Sequence, residues 1–229
     1  MEIQWLGHSA FRIVAQGKTV LVDPFFTGNP ACPEDVRKII GKVDHILITH
    51  GHGDHIGDAL DIGQEHGAQV TCIHEVAAWL GNQGLANCVG MNIGGTVQAD
   101  GLAFTMVNAV HSAGYMEDGK SVYMGVCAGF VIRCGKWSVY HTGDTDIFSD
   151  MTLIQRLHQP NVGLIPIGGH YTMDAKAAAL ACNELLDLDI IVPMHFGTFP
   201  ILAQSADEFA GMVKRGRVEA LTPGGTLDL

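Results

Sequence analysis

The stretch HILITHGHGDH, residues 45–55, decides how this chain is read. Its first five residues form a short apolar run with β-branched members, which predicts a buried strand over 45–49. The next six, His50, Gly51, His52, Gly53, Asp54 and His55, place three imidazoles and a carboxylate at the tip of that strand. The interleaved glycines allow tight backbone angles that aim alternate side chains inward. Neutral imidazole and carboxylate are ligands of borderline hardness, suited to a transition metal. A polar loop with solvent-exposed histidines is the plainer alternative, and the density of ligand-type residues argues against it.

Outward from that loop, apolar runs alternate with glycine-rich turns and amphipathic stretches. Strands are expected over 3–6, 10–15, 19–22, 45–49, 69–73, 102–107, 129–134, 138–141, 162–167 and 190–194. Helices are expected over 34–40, 56–66, 75–81, 151–158, 175–186 and 206–214. The AKAAALACNELL stretch, 175–186, is the densest in strong helix formers. This alternation indicates an α/β protein with buried sheet.

The two halves echo each other. FRIVAQGKTVLVD (11–23) aligns with FVIRCGKWSVYHTGD (130–144): a hairpin around Gly-Lys, then a strand ending at an aspartate. VDHILITHGHGDH is matched by NVGLIPIGGHYTMD, and QVTCIHE by DIIVPMHF, in the same order. Three matches in order favour duplication of a β-hairpin–α–β–α–β unit. Its sheets would face each other, with strand ends carrying His and Asp converging on one edge. With no linker between the halves, the expectation is one domain over 1–229, with lobes of about 1–110 and 111–229.

Composition narrows the function. Of 229 residues, 47% are hydrophobic and 16% charged, enough to build a core without disulfides. Thirteen Lys and Arg against 24 Asp and Glu give a net charge of −11, which disfavours nucleic acid as a partner. No apolar run is long enough for a membrane span, and the N-terminus lacks a signal-peptide pattern. A cytoplasmic protein acting on a small molecule is expected, with homo-oligomerisation left open. Six cysteines lack short ligand spacing, so a thiolate metal site is disfavoured. Twelve histidines are the anomaly.

Other strand ends must contribute to a complete metal site. His111 in AVHSAG, Asp144 in HTGDT and His195 in PMHFGTFP each follow an apolar strand. Each alone reads as an ordinary hydrogen-bonded polar residue; together with the loop they read as ligands. This set resembles the metallo-β-lactamase superfamily. Within it, WLGHSAFRI (5–13), VDPFFTGN (22–29), GGHYTMD (168–174) and PMHFGTFP (193–200) are similar to small bacterial metal-dependent hydrolases, the group that includes the L-ascorbate-6-phosphate lactonase-like proteins. The resemblance implies a four-layer αβ/βα sandwich of two similar halves, with the metals at one edge. It implies His50, His52 and His111 around one divalent ion, Asp54, His55 and His195 around a second, and Asp144 bridging them. Zinc is the first expectation, manganese or ferrous iron the alternatives. The absence of a thiolate ligand and of a signal peptide disfavours antibiotic hydrolysis.

The chemistry expected of that arrangement is hydrolysis of a small ester, lactone or phosphodiester. Two ions holding a water lower its pKa toward about 7. Asp54 would ligate and take up the nucleophile's proton. His170 is a candidate to protonate a leaving group or bind substrate, and His8, Tyr171 and Thr172 are candidate substrate contacts. Asp23 matches Asp144 in the repeat and suits orienting a ligand histidine. His74 matches His195 but lacks partners for a metal; His45, His66 and His158 read as surface residues, and His141 as strand or ligand support. Two competing readings are a di-iron redox protein, which would need a flavin domain, and a non-enzymatic metal-binding protein, which would be expected to have lost ligands.

Overall fold

The computed structural model describes residues 1–229. The chain opens with antiparallel strands β1 (Glu2–Trp5), β2 (Phe11–Ala15) and β3 (Lys18–Val22). Parallel additions follow: β4 (His45–Ile48), β5 (Gln69–Ile73) and β6 (Cys88–Met91). A second sheet begins with β7 (Thr96–Ala99) and β8 (Leu102–Asn108). A separate hairpin, β9 (Tyr115–Glu117) and β10 (Lys120–Val122), intervenes. Then come β11 (Ala128–Cys134), β12 (Trp137–His141), β13 (Val162–Pro166), β14 (Ile190–Met194) and β15 (Arg217–Val218). The last strand, β16 (Thr226–Asp228), returns to the first sheet beside β1.

The strand orders are β16-β1-β2-β3-β4-β5-β6 and β15-β14-β13-β12-β11-β8-β7. Aligned on their hairpins, β2-β3 and β11-β12, the two sheets have the same sequence of antiparallel and parallel pairings across all seven strands. The repeat read from sequence is therefore physical, and it extends to strands that the sequence did not reveal. The change of sheet falls between Met91 and Thr96, earlier than the expected boundary near 110.

Burial follows the pairing. β4, β13 and β14 are buried at every residue, as strands covered on both faces require, whereas β1 and β2 alternate. The helices are α1 (Val36–Ile40), α2 (Gly53–Ile56), α3 (Ala59–His66), α4 (His74–Asn82), α5 (Met151–His158), α6 (Ala175–Leu180) and α7 (Asp207–Met212). The architecture is the αβ/βα sandwich, and buried residues of both sheets form one continuous core. No helix is long and apolar enough to cross a membrane.

Two expected helices differ. The stretch 56–66 is broken at Gly57, whose φ of +45° and close approach to Pro24 and Phe25 separate α2 from α3. The stretch 175–186 leaves α-helical pairing after Leu180 and ends in a π turn, Ala181–Leu185. There Asn183 donates to the Met212 carbonyl (3.0 Å) and accepts from Lys214 N–H (2.7 Å), binding the end of α7.

What this fold contributes to function is one edge. β1, β3, β4 and β5 run in one sense, as do β8, β12, β13 and β14, so the loops after them can converge.

Candidate metal centre

The residues after β1, β3, β4, β8, β12 and β14 meet at that edge. Ligating atoms of His50, His52 and His111 lie within 4.8 Å of one another. So do those of His8, Asp54, His55 and His195, and those of His50, His55 and Asp144. The seven expected ligands are thus brought together in the expected partition, with Asp144 between the groups and with His8 added.

Asp144 is buried, and its Oδ2 faces three imidazoles: His195 Nε2 at 3.0 Å, His55 Nε2 at 3.3 Å and His111 Nε2 at 3.7 Å. Yet Asp144 Oδ1, His55 Nε2 and both His195 nitrogens make no hydrogen bond. The two shortest separations are within reach, but the nitrogens are not aimed at the oxygen. Buried polar atoms without partners cost free energy, and four in one small volume is a donor set awaiting a shared acceptor of electron pairs. Imidazole nitrogen and carboxylate oxygen fit a divalent transition ion.

The surroundings fix the imidazoles. His55 Nδ1 donates to Asp23 Oδ2 at 2.7 Å, which presents Nε2 to the Asp144 side. Asp23, itself buried, is held by the Thr49 N–H (2.8 Å) and hydroxyl (2.7 Å). His141 donates from Nε2 to the Ser9 carbonyl (3.0 Å) and accepts at Nδ1 from Gly143 N–H (3.1 Å), fixing the turn before Asp144. His8, Asp23 and His195 all adopt left-handed backbone, at φ +56°, +46° and +58°. Such conformations are costly for non-glycine residues and gather at functional sites. The motif glycines act differently from expectation: neither Gly51 nor Gly53 has positive φ. Gly51 is required by space, since a Cβ there would lie 2.2 Å from Met124 Cβ and 2.4 Å from the Ala113 carbonyl oxygen.

Electrostatics prepares the two groups unequally. Burial, followed by the neighbouring His55 charge, holds His50 well below the ordinary imidazole pKa and His52 below it. Burial also lowers His111, against the pull of Asp144. These rings are neutral at pH 7 and offer lone pairs. Burial opposes charge on His55, but Asp144 and Asp23 outweigh it and raise its pKa well above the usual value. An ion bound there displaces a proton. Burial likewise opposes ionisation of Asp144 and Asp54. The His195 and His55 charges lower Asp144 well below the carboxylate range, and the His8 hydrogen bond lowers Asp54. Burial brings His8 down to about 4.

The centre opens into a cleft of about 410 Å3 walled by His52, Asp54, His111, Asp144 and His195, with Ser112 and Tyr171. Ser112, which no sequence motif marks, has its hydroxyl 3.2 Å from His52 Nε2. Tyr171 is exposed at the wall. His170 is exposed and outside the wall, meeting Tyr171 edge-on with ring centroids 4.5 Å apart. Thr172 is buried and its hydroxyl donates to the Met173 carbonyl (3.4 Å). His74 is exposed at the start of α4. His45 is not a surface residue: it is buried, with Nε2 2.9 Å from Asp100 Oδ2.

Residues 18–196 match the family model described as a β-lactamase superfamily domain. A UPF0173 metal-dependent hydrolase of Chelativorans sp. (strain BNC1) is 45% identical over 226 residues, 97% of either chain. The chain belongs to the UPF0173 metal-dependent hydrolases of the metallo-β-lactamase superfamily. A second such hydrolase, from Koribacter versatilis (strain Ellin345), is 47% identical over 228 residues, covering 99% of this chain and 97% of the relative. Among solved structures, Igni18, described as a novel metallo hydrolase from the archaeon Ignicoccus hospitalis KIN4/I, is similar at 38% identity. Its TM-score is 0.86, over 99% of this chain and 97% of that one. Membership agrees with a hydrolase centre built from imidazole and carboxylate at the sandwich edge.

Proposed function

We propose that this UPF0173 hydrolase opens a small ester, lactone or phosphodiester at a pair of divalent ions, zinc before manganese or ferrous iron. The observation that carries the reading is the buried Asp144 carboxylate, faced by three imidazoles, of which His55 and His195 present buried Nε2 atoms with no hydrogen bond. His50, His52 and His111 would hold one ion and Asp54, His55 and His195 the other, with Asp144 shared. Bound ions of this kind acidify water toward pH ~7 and polarise a carbonyl or phosphoryl oxygen.

The chain's own groups supply the rest. Asp23 holds His55 in the tautomer that leaves Nε2 facing Asp144. Asp54 reaches the cleft with its side chain 34% exposed, where a carboxylate can receive a proton from the attacking water. The Tyr171 hydroxyl stands where it can donate to a substrate oxygen, and His170 behind it is a candidate proton donor to the leaving group. Buried His50, His55, Asp144 and His195 keep bulk water from the centre's inner wall, which strengthens its electrostatics.

The test is a panel of neutral lactones, aryl esters and bis-aryl phosphodiesters on chelator-stripped protein reloaded with zinc or manganese. Hydrolysis of at least one class, lost on stripping and restored by metal, is expected. Turnover that survives both stripping and Asp144→Asn would contradict the reading.

A further inference from the structure

His8 is surplus to both donor groups of the proposed centre, yet it is wholly buried against one of them. Its Nε2 lies 3.1 Å from Asp54 Oδ2 and its Nδ1 3.1 Å from the Thr198 hydroxyl. Its ring centroid is 4.0 Å from that of His195. We propose that His8 is a positioning residue that fixes the Asp54 carboxylate through a Thr198–His8–Asp54 chain, and so sets the affinity of the ion shared by Asp54, His55 and His195. This rests on the reading of Asp54 as a ligand.

The hydrogen bonds define the direction of the chain. An ionised carboxylate only accepts, so Nε2 carries the proton given to Asp54. In the neutral ring Nδ1 then holds a lone pair and accepts from the Thr198 hydroxyl at 3.1 Å, the nearer of that hydroxyl's two acceptors, the other being the Phe196 carbonyl at 3.3 Å. Asp54 projects into the cleft from the first turn of α2, its side chain 34% exposed, and the other anchor of its carboxylate is this imidazole. Outer partners of this kind orient ligands and tune metal affinity.

Two other roles for His8 fit less well. As a ligand through Nε2 it would have to give up that proton, and with it the hydrogen bond that holds Asp54. As a substrate contact it would need access, but it has none and does not wall the cleft. The backbone supports a dedicated position instead. His8 is held at φ +56°, with its carbonyl accepting from Trp5 Nε1 (2.9 Å) and from His195 N–H (3.0 Å). Thr198 comes from the loop after β14, so the chain joins the two sheets across the centre.

The test is a zinc titration against a competing chelator, with circular dichroism as the control for folding. The variants are His8→Asn, Thr198→Val, Thr198→Ser and Asp54→Asn. Asparagine tolerates left-handed backbone but is too short to bridge Asp54 and Thr198. His8→Asn and Thr198→Val should weaken one of two zinc affinities by ~10–100-fold, with the same stoichiometry at saturation. Thr198→Ser, which keeps the hydroxyl, should restore wild-type affinity. If His8→Asn fails to fold, the Thr198 pair decides alone. Unchanged affinity in both His8→Asn and Thr198→Val overturns the proposal. So does a His8→Asn protein that never takes a second zinc while Thr198→Val is normal, since His8 is then a ligand. Wild-type zinc binding by Asp54→Asn would instead show that the reading of Asp54 is at fault.

Discussion

Among single residues, Asp144 matters most to the proposed centre. Asp144→Asn keeps the shape and removes the charge that the imidazoles face. It should weaken metal binding by more than the ~10–100-fold typical of an outer partner, with the fold retained. Zinc titration beside circular dichroism checks this; wild-type affinity would refute the shared-ligand role. The loop across the cleft gives a second comparison. Tyr171→Phe should raise KM about fivefold, the worth of one neutral hydrogen bond, without loss of metal. His170→Ala should also keep its metal; a kcat loss of ~10²–10⁴-fold would mark it as the proton donor, and unchanged kinetics would remove it from the mechanism. The seven ligand-type residues were legible because motif and strand ends constrain them. Ser112 carried no pattern, and His45 looked exposed because its partner, Asp100, lies far along the chain.

At the scale of elements, the segment after β3 is tied down by Asp58, the residue preceding α3. Its carboxylate accepts from Phe26 N–H (2.9 Å), Thr27 N–H (2.8 Å) and the Thr27 hydroxyl (2.6 Å), and lies 3.2 Å from Arg37. Burial opposes its charge, but these partners hold its pKa below the usual value. A depressed folded pKa stabilises above the unfolded value of about 3.9, and that contribution is lost as pH falls through the folded value. Asp58→Asn should therefore cost about 1–3 kcal/mol near pH 7, with the difference shrinking below pH ~4. Denaturant midpoints across that range measure it; a difference independent of pH would contradict the linkage. Gly51→Ala, by contrast, should lower stability by about 1–3 kcal/mol through overpacking against Met124. Its thermal melt should shift even with metal absent. Strands with apolar runs were legible to within a residue or two, whereas the helices over 56–66 and 175–186 were not. β6, β7, β9, β10, β15 and β16 were not, because they are short and partly exposed and carry no continuous apolar run.

For the whole molecule, the internal repeat was the strongest sequence signal of architecture. Matched hairpins around Gly17-Lys18 and Gly135-Lys136 foretold two sheets with the same order of pairings. The point of crossing between sheets was not legible, because 92–95 is a short glycine-bearing turn like many others. Nor was the return of β16 to β1, since only three residues make that pairing. The same duplication brings strand ends of both halves to one edge, the edge at which the proposed centre would hold two ions. Elemental analysis of the chelator-stripped chain, reloaded with excess zinc and freed of unbound metal, tests it most directly. Two zinc ions per chain are expected, falling in Asp144→Asn. A wild-type chain that never exceeds one would contradict it.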